Sequence, residues 1–185
     1  MKSIIMKVIS IVGMAGAGKS EAARVFGDNG FVRVRFGDVT DKKIAEKGLE
    51  LNEENERNIR ETLRKEHGMA IYAKLNLPRI DSALEHSDVV IDGLYSWEEY
   101  TFLKECYGEN LYVVAVWAPP GIRHKRLAGR RNRRLTLEEA RSRDWKEIED
   151  IQKGGPIAMA DFTIANESSL EDLEREAREI ISRLK

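Results

Sequence analysis

The chain has 185 residues, 42% of them apolar and 34% charged, with a formal net charge of −1. That is enough apolar material for one domain with a sizeable core, and the near-neutral balance offers no global attraction for nucleic acid or an anionic membrane. A single cysteine, Cys106, excludes an intrachain disulfide framework and fits a reducing interior.

Ile4 to Val12 is a β-branched run broken by Lys7, the pattern of a central parallel strand. Met1-Lys2 with the apolar residues that follow superficially resembles a signal peptide. Lys7 interrupts its apolar region, however, and cleavage near Ala15-Gly16-Ala17 would destroy the segment described next. No run approaches the roughly eighteen apolar residues of a membrane span, so a cytosolic protein is expected.

Gly13-Met14-Ala15-Gly16-Ala17-Gly18-Lys19-Ser20 follows the strand directly and fits G-x-x-x-x-G-K-[ST], the P-loop that wraps nucleoside triphosphates. Glycines let the backbone turn tightly and aim several N–H groups at one anion, at the start of a helix. Lys19 is then expected to reach the β/γ-phosphates and Ser20 to hold Mg²⁺. Helix Lys19 to Asp28 stops at Gly27-Asp28-Asn29-Gly30, and Phe31 to Phe36 alternates as a second strand.

Residues 38–86 read as an all-helical insert, with helical patterns over Glu53 to Glu66 and Met69 to Glu85. Asp38 stands at the tip of the second strand. It suits proton acceptance or acceptor binding, or equally an N-cap for the helix beginning at Val39. Arg57, Arg60 and Arg64 share a helix face that would grip an acceptor phosphate; Glu53, Glu56 and Glu61 lie near enough to claim them in surface ion pairs.

Val89 to Gly93 is a short buried strand ending in Asp92. Such an acid orders Mg²⁺ and its waters in P-loop enzymes, although a carboxylate capping the following loop reads the same way. Gly93 rather than glutamate follows it, which counts against motor-type ATPases, and no Asn-Lys-x-Asp tetrapeptide is present to read guanine. A helix is expected over Ser96 to Tyr107 and a strand over Leu111 to Trp117.

Residues 121–160 form a second insert, with helices over Ile122 to Arg130 and Leu137 to Ile151. Arg123, Lys125, Arg126, Arg130, Arg131, Arg133 and Arg134 place seven cations in twelve positions, with 123, 126 and 130 on one helix face. Like charges so arranged repel unless an anion compensates. The expectation is a phosphate lid led by Arg126 and Arg130, against a solvated basic helix or an RNA-contacting patch. A last strand over Asp161 to Ala165 and a helix over Ser169 to Leu184 close the chain. His67, His86 and His124 show no ligand spacing.

Strands alternating with helices predict a parallel sheet with helices on both faces, and ligands beyond the strands' carboxyl ends. That gathers Ser20, Asp38, Asp92 and Trp117 to Pro120 about one crevice, with an insert on each side able to close over substrates.

In this order the residues resemble the P-loop nucleoside-monophosphate kinase group, and more closely an archaeal family described as adenylate-kinase-related or dephospho-CoA-kinase-like. The likeness spans nearly the whole chain: Gly13 to Ser20, Phe36-Gly37-Asp38-Val39, Val89 to Gly93, the arginine lid, and Ala160-Asp161-Phe162-Thr163-Ile164-Ala165-Asn166-Glu167. It implies a three-layer α/β/α P-loop NTPase fold with a five-stranded parallel sheet, a helical acceptor insert and an arginine-rich lid in a single domain. It further implies ATP with Mg²⁺, a nucleotide-like small-molecule acceptor, and Ala165 and Asn166 against the adenine.

The chain departs from those groups at named positions. Thr40 and Asp41 stand near where adenylate kinases carry an arginine after Gly-Asp, and Asp92-Gly93-Leu94-Tyr95-Ser96 lacks another. Of the dephospho-CoA kinase Asp-x-Asp, only the second acid, Asp38, is present. A γ-phosphoryl transferase is therefore the expected function, with a nucleotide-binding regulator, a slow ATPase or an RNA-associated factor as alternatives.

Overall fold

The computed structural model describes residues 6–131 and 133–185. Its sheet has five strands, all parallel, in the order β2-β3-β1-β4-β5: β1 Val8–Val12, β2 Val32–Arg35, β3 Val89–Asp92, β4 Leu111–Trp117 and β5 Phe162–Ala165. Ile4 and Ile5, expected as the start of the first strand, lie outside the described residues.

β1 is buried on both faces, as its nearly continuous β-branched sequence requires. Alternation sends Val8 and Val12 to one apolar cluster and Ile9 and Ile11 to the other. The Ile9 face packs on α1 (Lys19–Asp28) and α9 (Leu170–Leu184) through Ala22, Ala23, Phe26, Leu173, Ala177 and Ile181. In α9 the buried residues recur at helical spacing, so one stripe faces the sheet and the remainder is charged.

The Val8 face packs on α2 (Asp38–Glu46), α3 (Glu53–His67), α4 (Ile71–Leu84) and α5 (Trp97–Tyr107) through Ile44, Ile59, Tyr72, Ile80 and Leu103. Three layers result, α/β/α, in the P-loop NTPase arrangement. The all-helical insert expected over 38–86 is α2 to α4; α4 runs through Pro78 without a break.

The segment after β4 holds α6 (Pro120–Ala128), α7 (Leu137–Glu149) and α8 (Gly154–Ala158). Pro120 at the first turn suits the start of α6, where an N–H would have no partner. α7 starts at a reciprocal capping box between Thr136 and Glu139. α6 ends at Ala128 with Gly129 as its cap, two residues short of the expected end at Arg130, so Arg130 falls outside the helix.

β1 lies where the strand order turns back, with β3 on one side and β4 on the other. The loop leaving its carboxyl end is the position where ligands bind in open parallel sheets.

Candidate active site

The loop from Gly13 to Gly18 turns β1 into α1. Gly16 has φ +80° and Gly18 φ +108°, values that side chains rarely adopt. Both also touch neighbours: a Cβ on Gly16 would lie 2.7 Å from the Arg123 carbonyl oxygen, and one on Gly18 would lie 2.3 Å from Asn166 Nδ2. Gly18 caps α1 without any side-chain hydrogen bond, so the first amides of the helix stay free for an anion. Lys19 curls back and donates to the Met14 carbonyl at 3.0 Å. Burial first, then Lys153, lowers the Lys19 pKa to about 7.

Three elements grip this loop from outside. Asn166, just past β5, donates from Nδ2 to the Ala17 carbonyl at 2.7 Å. Arg123 of α6 donates to the Ala15 carbonyl at 3.0 Å. Glu147 of α7 accepts the Ala15 N–H on Oε2 at 3.2 Å.

Asp92, buried at the end of β3, sits between α1 and β2. Ser20 Oγ donates to its Oδ1 at 3.4 Å, and Arg33 Nη2 donates to its Oδ2. One hydroxyl and one carboxylate form the sparse donor set that suits a Mg²⁺ retaining waters and phosphate oxygens. Among the described residues no group of three His, Cys, Asp or Glu side chains is placed to hold a metal.

The arginines do not form one lid face. Arg123 is buried, and besides the Ala15 carbonyl it meets the Ala118 carbonyl at 3.1 Å and Asp144 through two nitrogens at 2.7 and 2.8 Å. His124 joins the same carboxylate at 2.9 Å. Arg126 points elsewhere, donating to the Asn166 carbonyl at 3.1 Å and to Asn166 Oδ1 at 3.3 Å. Arg130 is exposed and unpaired among the described residues, and partial desolvation and then Arg143 and Arg133 lower its pKa. Arg133 ties this segment to the insert through Asp41 at 3.4 Å and through Glu56.

A cavity of about 630 Å³ lies between α3 and α7. Arg57, Arg60, Arg64, Arg143, Tyr95 and Glu147 line it, so it meets the P-loop at Glu147. The sequence left the 57/60/64 stripe open between phosphate grip and ion pairing, and the structure divides it. Arg60 pairs with Glu53 at 2.8 Å, Arg64 stands 3.9 Å from Glu99, and Arg57 has no partner among the described residues.

Asp38 is the first residue of α2 rather than its cap. Both its oxygens are engaged, by Arg35 at 3.0 Å and Arg79 at 3.0 Å, and it does not line the cavity.

Three residues that the sequence did not single out complete the junction. Glu147 is buried against Lys153 at 2.8 Å and Arg143 at 3.2 Å. Despite desolvation, those cations and Lys19 hold its carboxyl well below the usual range. The one local signal was Arg141-x-Arg143-Asp144-x-x-Glu147 along a single helix, which reads equally well as a solvated surface.

A family model described as AAA domain matches residues 9–150. A UPF0200 protein of Thermococcus kodakarensis is 37% identical over 181 residues, covering 96% of this chain and 97% of its own. The fold is shared with a gluconokinase from Sinorhizobium meliloti (TM-score 0.64, 16% identity, 97% and 94% of the two chains). It is also shared with a shikimate kinase from Bacteroides thetaiotaomicron (0.62, 15%, 97% and 98%) and a dephospho-CoA kinase from Campylobacter jejuni (0.56, 18%, 98% and 98%). At such identities the likeness is one of fold. With a relative matched at this identity along nearly its whole length, the chain belongs to the UPF0200 family.

Proposed function

We propose that this protein transfers the γ-phosphoryl group of ATP to a small nucleotide-like or dephospho-CoA-like acceptor bound between α3 and α7. The observation that carries the reading is a junction. Glu147, which accepts the Ala15 N–H of the P-loop, also lines a cavity of about 630 Å³ in which arginines and lysines are interleaved with carboxylates. That volume lies within the range of small-molecule sites.

In this reading the loop Gly13, Met14, Ala15, Gly16, Ala17, Gly18, Lys19 and Ser20 cradles the phosphates through the amides other than those of Ala15 and Ala17, which donate to Glu147 and to the Met14 carbonyl, and Lys19 neutralises charge on the transferring group. Asn166, held between Arg126 and the P-loop, sets the base-binding edge together with Ala165. Arg130, unpaired among the described residues, is the lid cation that meets the phosphates. Ser20 and Asp92 hold Mg²⁺, which when bound supplies neutralising charge to the β- and γ-phosphate oxygens. Asp38, with both oxygens held by Arg35 and Arg79 and outside the cavity lining, takes no proton from the acceptor there and serves to hold those two guanidiniums.

Closure of the two inserts excludes water, which favours transfer to an acceptor over hydrolysis. The ion pairs of Arg133 with Asp41 and Glu56, and of Arg143 with Glu53 at 3.2 Å, already link the two sides. The test is labelled ATP and Mg²⁺ with AMP, CMP, UMP and dephospho-CoA offered in turn. Transfer to one of them is the expected result. Phosphate release without transfer would make the protein a slow ATPase or regulator; salt-sensitive RNA binding without either would support the RNA-associated alternative.

A further inference from the structure

Buried polar atoms nearly always find partners, so those that do not point to something absent from the polypeptide. Among the described residues Lys153 Nζ is one such atom, along with Arg64 Nε and Glu99 Oε1 behind the same cavity. The Lys153 side chain is 1% exposed, and its ammonium stands 2.8 Å from Glu147 Oε2 without the alignment of a hydrogen bond. Its other near neighbour is the Tyr95 ring, 5.2 Å from the ring centroid. An ammonium has three donors, and the Glu147 carboxylate takes up at most part of them.

The same Glu147 oxygen accepts the Ala15 N–H, which places the ammonium beside the P-loop at Ala15. Lys153, Arg143 and Lys19 all act on that one carboxylate, while Asp92 is engaged by Arg33. Arg143 is shared with Glu53, so Lys19 and Lys153 are left with the one Glu147 carboxylate between them, and an anion would balance the second cation.

Lys153 is also fixed in place. Its N–H donates to the Glu147 carbonyl at 3.0 Å, and the Trp97 N–H donates to the Ile151 carbonyl at 3.2 Å. Gly155 lies so close to Trp97 that a Cβ there would sit 2.5 Å from the indole.

We propose that Lys153 is a second lysine ligand of the triphosphate, donating to a terminal phosphate oxygen across the loop mouth from Lys19. The assignment rests on the phosphotransferase reading, and Glu147 positions the ammonium. A diphosphate ends short of this contact, so affinity for ADP is expected to be indifferent to Lys153.

The test compares magnesium complexes of ADP and of a non-hydrolysable ATP analogue by calorimetry, in the wild-type protein and in Lys153→Met. Loss of one charge-assisted hydrogen bond predicts about tenfold or greater weakening for the analogue, with ADP affinity held within about twofold. Equal change for both nucleotides, or none for either, would overturn the assignment. Wild-type protein that binds neither nucleotide would overturn the phosphotransferase reading, and this assignment with it. If Lys153→Met does not fold, Lys153→Gln keeps a donor toward Glu147 while removing the charge and leaves the Glu147 contact with Ala15 in place. It carries the same comparison.

Discussion

Arg123 separates a brace from a lid. It is 4% exposed and spends its donors on Asp144, the Ala15 carbonyl and the Ala118 carbonyl. In Arg123→Met both carbonyls lose that donor, and Asp144 keeps only His124. Breaking a buried, hydrogen-bonded charge pair from one side costs about 3–5 kcal/mol. At about 2–4 °C per kcal/mol for a chain of this size, the melting temperature is expected to fall by roughly 10 °C. Differential scanning calorimetry reads that shift, and nucleotide affinity should weaken as well, because the Ala15 peptide loses a tether. A lid arginine would behave in the opposite way, with turnover lost and melting temperature kept. A shift below about 3 °C together with collapsed turnover would refute the brace.

Lys19 gives a proton-linkage test. Its pKa in the empty site is about 7, lowered by burial and then by Lys153, and a bound phosphate returns it toward the ordinary lysine range. At pH 8 the empty site is then about one-tenth protonated, so nucleotide binding should take up roughly 0.9 proton, falling to about 0.1 at pH 6. Calorimetry of Mg-nucleotide binding in buffers of different ionisation enthalpy measures this, and buffer-independent heat at pH 8 would contradict it. The same lowered pKa means the unfolded chain binds more protons between about pH 7 and 10.5. This group therefore adds stability as pH rises through that window, and chemical denaturation at pH 7 and 9 checks the sign. Gly18→Ala sets a Cβ 2.3 Å from Asn166 Nδ2 at φ +108°; equilibrium dialysis should show nucleotide binding lost while far-ultraviolet circular dichroism stays native.

What the sequence revealed was local. The β-branched run before Gly13, the glycine spacing and the alternation of strands with helices are patterns of neighbours, and the five-stranded parallel sheet follows from them. The arginine segment was legible as charge but not as direction. Helical spacing placed 123, 126 and 130 together, whereas Gly129 ends the helix and Arg123 turns inward onto the Ala15 carbonyl. The Glu147 contact with Ala15 joins residues 132 positions apart. No periodicity encodes such a pairing, so the junction between loop and cavity became visible only in three dimensions. Lys153 was hidden for a further reason. A lysine in a charged chain reads as surface, and only the fold encloses it.

The account depends on a triphosphate resting in the amides between β1 and α1. Titration calorimetry with Mg²⁺ and ATP or GTP, on the wild-type protein and on Lys19→Ala, tests this most directly. One site per chain with clear heat, abolished in a folded Lys19→Ala variant, is the predicted result. Absence of heat from every nucleotide, or undiminished binding by Lys19→Ala, would contradict it.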